Sequence, residues 1–341
     1  MDWVLLVVAL GVILGGAELF TNGVEWVGDG FGLSQGAIGS VLAAVGTALP
    51  ETVLPLIAIM LGHGTGKEIG VGAILGAPFM LTTLAMFVLG LTVLVYSATG
   101  RRSRDIRANP RVPRLDLGVF LMLFSLAVVA GLWHWKPFHW VLAGALVVAY
   151  GLYVRRHFRG PVERDVEQEA AGEIKPLYLR GLAVRGVRGK PPTWASVLQT
   201  LAGLAVIVAG ARLFVAVVTD LAGQFHVRPL PFALLVAPVA TELPEIFNAS
   251  VIWARRGKDT LAVGNITGAM VFQAVFPVAI GLLFTPWRLS HESLVAALVA
   301  LGAGALLYVT LVVRGRMGPR LLLLQGALYV GFVLYLVARA R

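Results

Sequence analysis

Residues 41–51 read VLAAVGTALPE and residues 235–245 read LVAPVATELPE. A shift of 194 positions (241 minus 47) places Thr47 on Thr241, Leu49 on Leu243, Pro50 on Pro244 and Glu51 on Glu245. In each copy a carboxylate follows a proline inside an otherwise apolar run. Proline has no backbone N–H, so in a helix Pro50 leaves the carbonyl of Gly46 without a partner, and Pro244 does the same for Ala240. Thr47 and Thr241 add hydroxyls on the neighbouring turn. Glu51 and Glu245 add carboxylates that an apolar span rejects unless something satisfies them, and a bound cation is one such partner. Counting both oxygens of each carboxylate gives up to about eight oxygen ligands and no nitrogen or sulfur. That set suits calcium, which accepts about six to eight oxygens in loose geometry. Prolines that only kink, and glutamates that pair with polar neighbours, would account for one copy. Two copies at matching positions point to one shared ion site.

Glu242 adds a third carboxylate. It lies three positions before Glu245, so on an unbroken helix the two share a face. Three carboxylates this close in a low dielectric cannot all ionise without counter-charge. Glu242 therefore reads as a proton-binding or additional cation-binding group, unless Pro244 turns it toward water at a cavity mouth.

These groups need elements to hold them. The chain is 58% hydrophobic and 13% charged, with a mean hydropathy of +0.83, too apolar for a soluble protein of 341 residues. Ten apolar stretches are long enough to cross a bilayer. The first half has 3–22, 35–61, 68–97, 115–133 and 138–154; the second has 195–219, 229–253, 260–284, 290–313 and 321–338. The repeat extends upstream of the glutamates, with GAELF at 16–20 over GARLF at 210–214 and Phe31 over Phe225. Five spans per half is an odd number, so the second copy enters the membrane from the opposite side. The prediction is an all-α membrane protein of ten transmembrane helices in two inverted five-helix repeats, 1–154 and 195–341, joined by a linker at 155–194.

The net charge of +10 is unevenly placed. Arginines 101, 102, 104, 107, 111 and 114 follow the third span, and the linker after the fifth adds Arg155, Arg156, Arg159, Arg164, Lys175, Arg180, Arg185, Arg188 and Lys190. Arg255, Arg256, Lys258, Arg314, Arg316 and Arg320 follow spans seven and nine. The positive-inside bias puts these connections in the cytoplasm and both termini outside. The basic balance is thus topology rather than nucleic-acid binding, and the partners are the lipid bilayer and inorganic cations. The opening MDWVLLVV lacks a positive n-region and reads as the first span of a protein in a prokaryotic plasma membrane. The linker, with Glu163, Asp165, Glu167, Glu169 and Glu173 among its basic residues, reads as a solvated cytoplasmic segment with a short helix.

There are no cysteines, and the six histidines fall at span ends and connections. No thiol chemistry or histidine-based metal centre is on offer, and no cofactor is expected. Glu18 and Arg212 occupy equivalent places in spans one and six and read as structural, either paired or snorkelling. A membrane-embedded hydrolase could use Glu242 and Glu245 as acid and base, but no nucleophile pattern accompanies them. A scaffold has no need of duplicated proline–glutamate pairs.

GTALPE at 46–51 and ATELPE at 240–245 resemble the two alpha repeats of the sodium/calcium exchanger family, within the calcium/cation antiporter superfamily. GAELF at 16–20, GVGAILGAPF at 70–79 and AVGNITGAMVF at 262–272 share the likeness. The resemblance implies a diamond of ion sites between spans two, three, seven and eight, and alternating access by sliding of spans one and six. It makes Glu51 and Glu245 the central ligands, flanked by Thr47 and Thr241. The sequence departs from the family pattern at Ala48 and Glu242, where the family has serine, and at Ala77, Leu81 and Ala269, where it has hydroxyl and amide ligands. Only Gln273 offers a polar replacement. The expectation is export of calcium or another divalent cation in exchange for a monovalent ion, driven by protons or uncoupled and largely indifferent to sodium. A sodium-coupled exchanger relying on backbone carbonyls is the alternative.

Overall fold

A computed structural model describes residues 2–31, 49–62, 65–133, 135–157, 176–179, 191–225 and 228–340. Among these the regular elements are all helical. They run α1 (Asp2–Gly30), α2 (Leu49–Leu61), α3 (Gly66–Ala98), α4 (Arg111–Leu132), α5 (Lys136–His157) and α6 (Thr193–Gln224). The second half continues with α7 (Pro229–Phe247), α8 (Asp259–Phe284, broken briefly after Gln273), α9 (His291–Arg314) and α10 (Pro319–Ala340). Eight of them are long and apolar enough to cross a membrane; the apolar parts of α2 and α7, Pro50–Leu61 and Pro229–Leu243, are shorter.

The distribution of side chains fits a hydrocarbon solvent. Large apolar residues such as Val141, Val313 and Leu334 are exposed, while Glu51, Asp116, Gln199, Glu242 and Gln325 are buried. In water this arrangement would be costly on both counts; in lipid the exposed apolar surface costs nothing. The protein is an integral membrane protein.

Close backbone contact fixes how the helices pair. α1 and α6 run antiparallel: Gly16 meets Ile207, Gly23 meets Thr200 and Gly30 meets Thr193. At Gly203 a Cβ would stand 2.5 Å from the backbone nitrogen of Phe20, so only glycine permits that approach. α3 and α7 instead run parallel, Gly72 against Leu230 and Gly76 against Leu234. A Cβ on Gly72 would lie 2.7 Å from the Leu230 carbonyl oxygen. Gly70 of α3 also meets Ile59 of α2, and Asn265 and Gln273 of α8 meet α7, so α2, α3, α7 and α8 form one connected centre.

Two helices of that centre carry a turn of π-helix, Leu81–Ala85 in α3 and Asn248–Trp253 directly after α7. Such turns shift the helix phase and free carbonyls from the usual ladder. In α3 the hydroxyls of Thr82 and Thr83 take up the carbonyls of Pro78 and Phe79, at 2.8 and 2.5 Å. Between the halves, Arg102 forms a buried ion pair with Asp259 at 2.9 Å and also donates to the Ala254 carbonyl.

Residues 176–179, one described part of the linker, lie against α1 and α6. Leu177 is buried. The N–H of Tyr178 donates to Asn22 of α1 at 3.2 Å and that of Leu179 to Gln199 of α6 at 2.8 Å. Two buried amides in apolar helices need partners, and the linker backbone supplies them.

Candidate cation site

α2 and α7 bring three carboxylates together. Glu51, Glu242 and Glu245 each offer an oxygen within 4.8 Å of the others, and all three side chains are buried. Glu242 and Glu245 point inward because they sit three apart on α7, while Leu243 and Phe247 on the other face are exposed. Glu242 is fully buried, so the alternative in which it turns to water does not hold.

The span of the triad is the relevant quantity. Calcium–oxygen bonds of about 2.3–2.6 Å put two ligands on opposite sides of one ion about 5 Å apart. A triangle no wider than 4.8 Å therefore suits a single divalent cation. Among the described residues, both Glu51 oxygens, Oε2 of Glu242 and Oε1 of Gln273 are buried acceptors without a hydrogen-bond donor. Among the described residues no lysine or arginine pairs with Glu51 or Glu242. Buried acceptors of this kind are rare unless an ion, a proton or water satisfies them.

α8 supports the carboxylates from the side. Gln273 Nε2 donates to Glu242 Oε1 at 2.6 Å, so this residue meets the motif carboxylate directly. Asn265 Nδ2 donates to the Glu245 carbonyl at 3.1 Å, where the ladder passes into the π-turn. Asn265 stands in the quoted AVGNITGAMVF segment, but its role depends on facing α7 and was not visible in the segment alone. Thr241 is buried beside Glu242, its hydroxyl 3.4 Å from the Ala237 carbonyl, which leaves its lone pairs available. The backbone of Ala240 lies in α7 four residues before Pro244. Gly46 and Thr47 lie outside the described residues.

The remaining polar candidates stand elsewhere. Glu18 is exposed on α1 and accepts the Tyr178 hydroxyl at 2.5 Å; Arg212 is exposed on α6. His139 is buried, with Nε2 at 2.9 and 2.8 Å from the Ala130 and Trp133 carbonyls at the end of α4, a helix-capping role.

The chain resembles known proteins in sequence and in fold. The putative antiporter CaxA of Alkalimonas amylolytica is 25% identical over 285 residues, covering 83% of this chain and 81% of its own. The inner membrane protein YrbG of Escherichia coli strain K12 is 26% identical over 286 residues, covering 83% and 79%. In fold, the chain superposes on the H+/Ca2+ exchanger CAX with a TM-score of 0.71 at 14% identity, covering 98% of this chain and 82% of that one. It also superposes on the sodium-calcium exchanger NCX_Mj, with a TM-score of 0.56 at 21% identity and 97% of each chain covered. The model of the sodium/calcium exchanger protein family matches residues 1–158 and 195–339. The chain belongs to the sodium/calcium exchanger protein family.

Proposed function

We propose that the protein is a secondary-active antiporter that exports calcium, or another divalent cation, in exchange for a monovalent ion. The observation that carries this reading is the buried triad of Glu51, Glu242 and Glu245, contributed by one helix of each half and sized for one such ion. Glu51 and Glu245 are its central ligands. Thr241, the Ala240 carbonyl, and Thr47 with the Gly46 carbonyl complete the set of oxygens. Glu242, held by Gln273, is the group that exchanges a proton against the cation. Three buried carboxylates cannot all stay charged once the cation leaves, and a proton is the simplest replacement.

The architecture that serves this function is ten membrane-spanning helices in two inverted repeats, 1–154 and 195–341, with 155–194 between them. The antiparallel pairing of α1 with α6 and the parallel pairing of α3 with α7 both favour inversion, because a direct repeat would reverse each. α2 and α7 complete the ten spans, with the linker cytoplasmic and both termini outside the plasma membrane of a prokaryote. Opening to either side follows from movement of the α1–α6 pair against the central four helices.

Calcium flux in proteoliposomes tests this reading, with sodium and proton gradients imposed separately. The expectation is uptake driven by an outward proton gradient, little response to sodium, and near-complete loss in Glu51→Gln and Glu245→Gln variants that still insert. Glu242→Ser should abolish the proton dependence. Strong sodium-driven uptake by the wild type would overturn proton coupling, and full activity of Glu51→Gln would place the cation elsewhere.

A further inference from the structure

α8 carries polar side chains toward two sides. Asn265 and Gln273 meet α7 at the glutamates. Thr267 is two residues past Asn265, about 200° around the helix, and meets α4 instead. There its hydroxyl donates to Asp116 Oδ2 at 2.6 Å, and Tyr153 of α5 donates to Oδ1 of the same carboxylate at 2.9 Å. Asp116 and Thr267 are both buried, at 1% and 0% exposure.

The hydroxyl of Thr267 has a single proton to give. Helical threonines usually donate it to a carbonyl one turn back, as Thr82, Thr200, Thr219 and Thr310 do at 2.7–2.8 Å. Thr267 has instead the Gly264 carbonyl, three residues back rather than four, at 3.5 Å, the limit of a hydrogen bond. The proton is directed to Asp116. A buried carboxylate is a costly way to fasten a helix that apolar packing could hold. The first half shows the cheaper solution: a shift of 192 (264 minus 72) sets Asn265, Thr267 and Gln273 over Ala73, Leu75 and Leu81. Of these two equivalent helices, the one that supports Glu242 and Glu245 is, among the described residues, fastened from behind by a carboxylate.

We propose that Asp116 is a positioning residue for the cation site. Through Thr267 it sets the rotation and axial register of α8, and thereby the reach of Gln273 to Glu242 and of Asn265 to the Glu245 carbonyl. Asp116 is not one of the three clustered carboxylates. The Gln273 bond of 2.6 Å is lost by a displacement of about 1 Å, since hydrogen bonds fail beyond about 3.5 Å. This inference rests on the antiporter reading of the same site.

The test measures calcium uptake by the full chain in liposomes, across calcium concentration and pH, together with unfolding temperature. Thr267→Ala and Asp116→Asn should each raise the calcium KM about tenfold, the scale of one hydrogen bond to a charged group. Thr267→Ser should restore the wild-type KM. Combining either variant with Gln273→Leu should add less than the sum of the two, because both act through the Gln273–Glu242 contact. An unchanged KM with a lowered unfolding temperature would reduce Asp116 to packing and overturn the proposal, as would full additivity with Gln273→Leu. Should Asp116→Asn fail to fold, Thr267→Ala against Thr267→Ser decides the same question. A wild type without cation-dependent flux would instead refute the antiporter reading, and this inference with it.

Discussion

Replacing Gln273 with leucine removes the one side chain that, among the described residues, donates to Glu242 in the triad. The bond is short, 2.6 Å, and both residues are buried, with 0% and 2% exposure for Glu242 and Gln273. A buried hydrogen bond to a charged acceptor contributes about 1.5–3 kcal/mol. Leucine is close in volume, so the loss is electrostatic rather than a cavity. At about 1.4 kcal/mol per decade, the apparent calcium affinity should fall roughly 10- to 150-fold. The direction follows from competition. Without its donor the charged carboxylate is less favourable, a proton on the same oxygen is favoured, and calcium has to displace it. The deficit should therefore shrink as pH rises and the competitor is removed. Uptake in proteoliposomes at a series of calcium concentrations and two pH values reads both effects. A Gln273→Leu protein with the wild-type KM at every pH would refute the argument that this bond holds Glu242 ready for the cation.

The other predictions concern stability and topology. Arg102 and Asp259 are buried on both sides of their ion pair, and Asp259 also accepts the Arg107 N–H at 2.7 Å. Arg102→Ala leaves that carboxylate short of its charge partner, a loss of about 3–5 kcal/mol. The variant should unfold at clearly lower temperature in detergent, and an unchanged transition would show the pair to be dispensable. The chain has no cysteine, so a single introduced cysteine is a unique label. Placed within 155–194 it should react only with reagent admitted to the cytoplasmic side; labelling from outside would invert the proposed topology.

The chemistry of the site was written in the sequence because it is concentrated in two short copies of one motif. Glu51 and Glu245 stand out by duplication, and Glu242 by being an extra charge beside one of them. Gln273 stands out as a polar residue where its counterpart in the other half, Leu81, is apolar. What was not legible depends on which helix a side chain meets. Asn265 and Thr267 are two residues apart, yet one supports the site and the other turns away to Asp116. Asp116 is a lone carboxylate whose partners come from residues 37 and 151 positions distant. The π-turns at Leu81–Ala85 and Asn248–Trp253 alter the helix phase without a distinctive residue to announce them. The docking of residues 176–179 was hidden for a similar reason. Its acceptors, Asn22 and Gln199, belong to helices in opposite halves of the chain.

Anomalous diffraction from crystals soaked in calcium or strontium tests the central claim most directly. The account predicts one divalent-ion peak bounded by carboxylate oxygens of Glu51, Glu242 and Glu245, lost in Glu51→Gln crystals. A peak at another place in the protein, or none at saturating divalent ion, would contradict it.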